Sequence, residues 1–216
     1  MKRDRLNPDE RREYLAMAER RSRRGSGTHA DVLREQTSAY GVPDFAKHLG
    51  SVRFVLVGGI ATRLYMPERM TLDVDVLIRP GELDDAERQL RESGCARVGP
   101  LTVGGSTWRL PEGSVLDVLA LDEPWVEKAL AHTVRGPEGL PCITLPFLVV
   151  MKLASGRVQD LADITRMLGQ ADGRVLEKVR AIVEEHRPGD MEDLESMIRL
   201  GRLEYEEEDG EMGKDE

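Results

Sequence analysis

The stretch Val55 to Leu77, VLVGGIATRLYMPERMTLDVDVL, limits the fold most: a glycine pair is followed, after thirteen residues, by two carboxylates one residue apart. Phe54 to Val57 is a short apolar and β-branched run, the mark of a buried strand, and Gly58-Gly59 ends it before Ile60 to Tyr65 takes up a helical pattern. The backbone has to turn sharply there. Glycines let the main chain come close to a ligand, and a helix opening after them directs N–H groups outward, an arrangement that suits a phosphate. Leu72 to Ile78 then alternates, so Asp73, Asp75 and Leu77 share one face while Val74, Val76 and Ile78 share the other. Two carboxylates that close disfavour each other's ionisation, and a divalent cation between them removes the penalty. Mg²⁺ fits, because it takes one or two carboxylates together with substrate phosphates. Each piece alone has a plainer reading, since Asp-Val-Asp is commonly the wet face of a strand and Gly-Gly commonly only a turn. Their order along the chain makes the combination more telling.

Further candidates follow downstream. Ser114 to Leu121, SVLDVLAL, is a strand pattern with one carboxylate, Asp117, among apolar residues. An acid there is unfavourable without a partner, and a sheet position next to the Asp73–Asp75 strand would give it a shared metal; a hydrogen bond to a neighbouring loop is the alternative. Thr144-Leu145-Pro146 opens a helix, Leu145 to Ser155, that is apolar apart from Lys152. That lysine either snorkels to solvent or reaches into a cleft, where a triphosphate would supply its counter-charge. Gln159 to Leu168 begins another helix with Asp160 and Asp163 on one face, and Asp160 could simply favour the helix N-terminus. Ser106 lacks a G-x-S-x-G surround and reads as a turn residue.

A chain of 216 residues can hold one α/β core with a helical extension. With 4% aromatic residues it offers little for base stacking, and no apolar run approaches the roughly 20 residues that span a bilayer. The N-terminus lacks the apolar segment of a secretory signal, and the solitary Cys95 and Cys142 fit a reducing compartment, so a cytoplasmic, non-membrane protein is expected. Charge is uneven: residues 1–24 hold nine Lys/Arg against five Asp/Glu, whereas 184–216 hold four against fourteen. The expected organisation is a basic helical arm over 1–27, an α/β core over 28–143, a C-terminal helical region over 144–203 that completes a nucleotide cleft, and an acidic disordered tail over 204–216.

The combination of Gly58-Gly59, Asp73-Val74-Asp75 and the later Asp117 resembles the signature of the DNA polymerase β-like nucleotidyltransferase superfamily. Met151 to Ile164, MKLASGRVQDLADI, is similar to the lysine-and-aspartate segment of the AbiEii-like toxins of abortive-infection type IV toxin–antitoxin systems. The resemblance covers roughly Val52 to Leu168. It implies a small mixed β-sheet with flanking helices, two Mg²⁺ ions held by Asp73, Asp75 and Asp117, and transfer of NMP from an NTP with release of pyrophosphate. It also implies that Gly58 and Gly59 face the nucleotide, that Lys152 contacts the triphosphate and serves catalysis, and that Asp160 or Asp163 supports it. Thr62 and Arg69 are second-rank candidates for phosphate contact. The acceptor implied first is tRNA, with a protein or small molecule as alternatives, and a cognate antitoxin is the implied partner. A non-catalytic binding relic of the fold is the contrasting expectation.

Overall fold

The computed structural model describes residues 5–22, 42–66 and 73–205. The β-forming runs of the sequence become seven strands: β1 Phe54–Leu56, β2 Val74–Ile78, β3 Ala96–Pro100, β4 Gly105–Arg109, β5 Val115–Ala120, β6 Thr133–Arg135 and β7 Pro141–Ile143. They form one mixed sheet in the order β3-β4-β5-β2-β1-β7-β6. The pairs β2–β5 and β1–β7 are parallel and the remainder antiparallel. Among the described residues eight α-helices accompany the sheet: α1 Pro8–Arg21, α2 Gly58–Thr62, α3 Leu83–Glu92, α4 Val126–Ala131, α5 Leu145–Ser155, α6 Val158–Gly169, α7 Gly173–His186 and α8 Met191–Tyr205. The fold is thus mixed α/β, as the sequence predicts. No helix among the described residues is long and apolar enough to cross a membrane.

Backbone contacts divide the chain into two compact units, Asp31–Leu148 and Met1–Ala30 with Val149–Glu216. The first contains the sheet. Val74, Val76 and Ile78 of β2 are inaccessible to solvent, as are Leu116 and Val118 of β5 and Trp108 of β4, which gives the sheet one dry face by strand alternation. On α3, Ala86 and Leu90 are equally buried, and the guanidinium of Arg91 lies 5.7 Å from the Trp108 ring centroid, so α3 covers that face. Residues of opposite parity, Asp75 and Asp117 among them, therefore belong to the other face.

The second unit is helical. Asn7 caps α1 in a capping box with Glu10. Basic residues here are tied into the unit. Arg11 is buried and bonds Asp190 and Asp193 at the start of α8, and Arg5 donates to the carbonyls of Ser155 and Ala154 at the end of α5, each at 2.6 Å. Those carbonyls would otherwise lack intrahelical donors. Helices α6 and α8 cross at Gly169 and Gly201, where a Cβ on Gly201 would lie 2.1 Å from the Thr165 carbonyl oxygen. Only glycine permits that approach. Ahead of β1 the chain forms a 3₁₀ turn at Ala46–His48. The tail from 206 onward lies outside the described residues.

Candidate active site

Strand β1 leads directly into the glycine pair. Val57 donates its N–H to the Asp75 carbonyl at 2.9 Å, and Gly58, in the left-handed region at φ 58°, then turns the chain into α2. That helix has only five residues, shorter than the Ile60-to-Tyr65 pattern and begun by the glycines themselves. Thr62 is wholly buried, and its hydroxyl donates to the Gly58 carbonyl at 2.8 Å. That donor closes the turn from within.

Asp75 and Asp117 stand side by side, because the parallel pairing of β2 with β5 places their Cα atoms in register. Neighbouring strands lie about 4.8 Å apart, so two half-buried carboxylates face the same way at close quarters. Oδ1 of Asp117 is shielded from solvent and has no hydrogen-bond partner among the described residues. A buried carboxylate oxygen left this way is unfavourable, far more so than the ring nitrogens of His48, which are also shielded and unpartnered but can remain uncharged. Asp73 is exposed and precedes β2 by one residue. Arg69 lies outside the described residues.

Among the described residues no three of His, Cys, Asp and Glu are gathered as a metal-holding group. Two carboxylates are nevertheless the complement Mg²⁺ ordinarily takes from protein, with phosphate oxygens supplying the remainder. The orphaned Asp117 oxygen and the register of Asp75 beside it suit such an ion.

Lys152, Asp160 and Asp163 form a separate constellation. Lys152 is 5% exposed, and its Nζ donates to Asp160 Oδ1 at 2.9 Å and Asp163 Oδ2 at 2.7 Å. Ser155 and Arg157 add bonds to Asp160 Oδ2 at 2.6 and 2.9 Å. Burial pushes the Asp160 carboxyl up, but Lys152 beside it and these hydrogen bonds outweigh burial and hold it below its usual range. The lysine does not snorkel to solvent; its counter-charge in this structure is internal, from Asp160 and Asp163.

Two residues of the acid face carried no functional signal in the sequence. Thr107 pairs with Asp117 and Arg109 with Val115 in the antiparallel β4–β5 register, so both share the face of the carboxylates. Neither lies in a recognisable motif; only the register reveals them. Burial pushes the Cys142 thiol up to about 12.

No protein-family model matches this chain, and no curated protein matches it. Among solved structures it is similar to ANT(2")-Ia in complex with adenylyl-2"-tobramycin, at 17% identity over 73% of this chain and 96% of that one, with a TM-score of 0.41. A solution structure of antibiotic-resistance factor ANT(2'')-Ia is similar at 16% identity, over 68% and 82%, with a TM-score of 0.37. The Megavirus polyadenylate synthase is similar at 12% identity, over 84% of this chain and 34% of that one, with a TM-score of 0.32. At these scores the similarities decide nothing about this chain's chemistry.

Proposed function

We propose that the chain is a Mg²⁺-dependent nucleotidyltransferase that moves NMP from an NTP to a hydroxyl acceptor and releases pyrophosphate. One observation carries the reading: Asp75 and Asp117 are in register on adjacent parallel strands, where an Asp117 oxygen is buried with no partner among the described residues. Asp75 and Asp117 would hold the metal, and Asp73, one residue before β2, is the third acid proposed for it. When bound, Mg²⁺ neutralises triphosphate charge and favours ionisation of the acceptor hydroxyl. Gly58 and Gly59 bring the backbone turn to the same end of the sheet, where it borders the nucleotide. The acceptor oxygen forms a bond to the α-phosphorus, the bond to the bridging oxygen breaks, and pyrophosphate departs with the electron pair. The hydroxyl proton would pass to the Asp117 carboxylate, on the oxygen that a bound ion leaves free.

The sequence resemblance favours a tRNA acceptor end and a toxin–antitoxin or phage-defence setting. Incubation with Mg²⁺, each α-³²P-labelled NTP and either total tRNA or cell lysate tests both levels. Label on RNA supports the tRNA reading, label on protein moves the acceptor, and binding without transfer in every mixture contradicts the enzyme. Loss of label in Asp75→Asn ties the activity to this site. Growth arrest on expression, relieved by Asp73→Ala, is the expected sign of a toxin.

A further inference from the structure

The glycine pair reads from sequence as a turn that faces phosphate. At Gly58 the structure shows a more specific demand. A Cβ placed on Gly58 would lie 1.9 Å from Asp75 Oδ2, 2.5 Å from its Cγ and 2.9 Å from its Cβ, so the whole Asp75 side chain lies against the bare Cα of residue 58. The contact is formed by two fixed pieces of backbone. Val57 is tied to Asp75 through its N–H to the Asp75 carbonyl, and β1 is held to β2 by the pairs Phe54↔Ile78 to Leu56↔Val76. Neither residue 58 nor residue 75 can withdraw without breaking that ladder. Any side chain at 58 must rotate the Asp75 carboxylate out of the place it occupies beside Asp117.

We infer that Gly58 is a positioning residue for the Asp75 carboxylate: the missing side chain is the space in which that carboxylate is aimed at Asp117. The inference rests on the reading of Asp75 as a metal ligand, and it places the effect of Gly58 on the metal rather than on a phosphate. The left-handed φ of Gly58 would penalise alanine by itself, so the test separates strain from collision. Gly94 supplies the comparison: its φ is 85°, and a methyl group added there would meet nothing within 4 Å.

Two readouts on the full chain decide it. In Mn²⁺ titrations followed by the EPR signal of the free ion, Gly58→Ala is expected to weaken binding about tenfold or more, toward Asp75→Asn, while Gly94→Ala binds like the wild type. In thermal unfolding, Gly58→Ala is expected to lower Tm by at least roughly 4 °C more than Gly94→Ala. That excess should vanish when both are made in an Asp75→Gly background, where no side chain remains to be struck. Wild-type Mn²⁺ affinity in Gly58→Ala, or an excess Tm loss that persists without the Asp75 side chain, overturns the inference. Absence of Mn²⁺ binding by the wild type, with no change in Asp75→Asn, would overturn the metal reading instead and leave the unfolding cycle to judge the collision.

Discussion

The two compact units treat their buried carboxylates in opposite ways. In the helical unit, Asp160 and Asp163 share Lys152, with Ser155 and Arg157 completing Asp160, and Asp190 and Asp193 share Arg11. In the sheet unit, Asp117 is placed abreast of another acid and keeps a shielded oxygen without a donor. Burial of a carboxylate is tolerable only with compensation, so acids that hold a fold together are found with their cations. An acid kept without one points to compensation from outside the chain. That contrast, more than burial or charge alone, separates the structural aspartates from those assigned to chemistry.

The largest expected effect breaks the comparison on its functional side. Asp117→Asn, which keeps the shape and removes the charge, should lower NMP transfer by roughly 10³-fold or more while leaving the denaturant midpoint unchanged or raised. A midpoint that falls along with activity would make Asp117 a structural acid like the others. On the structural side, Lys152→Met removes the cation that Asp160 and Asp163 share and should destabilise the helical unit by about 3–5 kcal/mol in urea unfolding. A neutral result would mean that Lys152 is not the internal counter-ion.

Acid sharpens the same distinction. The folded-state pKa of Asp160 is depressed, so its ionised form stabilises the unit fully above the ordinary carboxylate value of about 3.9, and the contribution is lost as pH falls through the lower folded value. Circular dichroism of the wild type should show this as an acid-side loss of helix stability, which Lys152→Met reduces. The smallest effect belongs to Arg157, whose side chain is 63% exposed although it reaches Asp160. Arg157→Ala should change stability by no more than about 1 kcal/mol.

Most elements were legible because their patterns are local. The alternation of Leu72 to Ile78 and of Ser114 to Leu121 gave β2 and β5 and put each acid on a definite parity, and helix α5 runs over Leu145–Ser155 as its apolar run and flanking signals indicate. What stayed hidden depends on partners far away in sequence. A lysine on an apolar helix has the same local pattern whether its counter-charge is a ligand or Asp163 eleven residues on. Arg11 sits in a helix whose charges read as a solvated arm, and its partners lie near the other end of the chain. Thr62 has the hydroxyl a phosphate would want, but the turn itself takes it, as only the backbone path of Gly58 could reveal. Likewise, the juxtaposition of Asp75 with Asp117 required the strand order; parity alone allowed them to be several strands apart.

The assignment of Asp117 to chemistry is probed most sharply by following α-³²P-labelled and γ-³²P-labelled NTPs in parallel, with wild-type protein and Asp117→Asn in Mg²⁺ and cell lysate. The α label is expected to enter a macromolecule and the γ label to leave as pyrophosphate, and Asp117→Asn to abolish both. Transfer of the γ label, or α-label transfer undiminished in Asp117→Asn, would contradict that assignment.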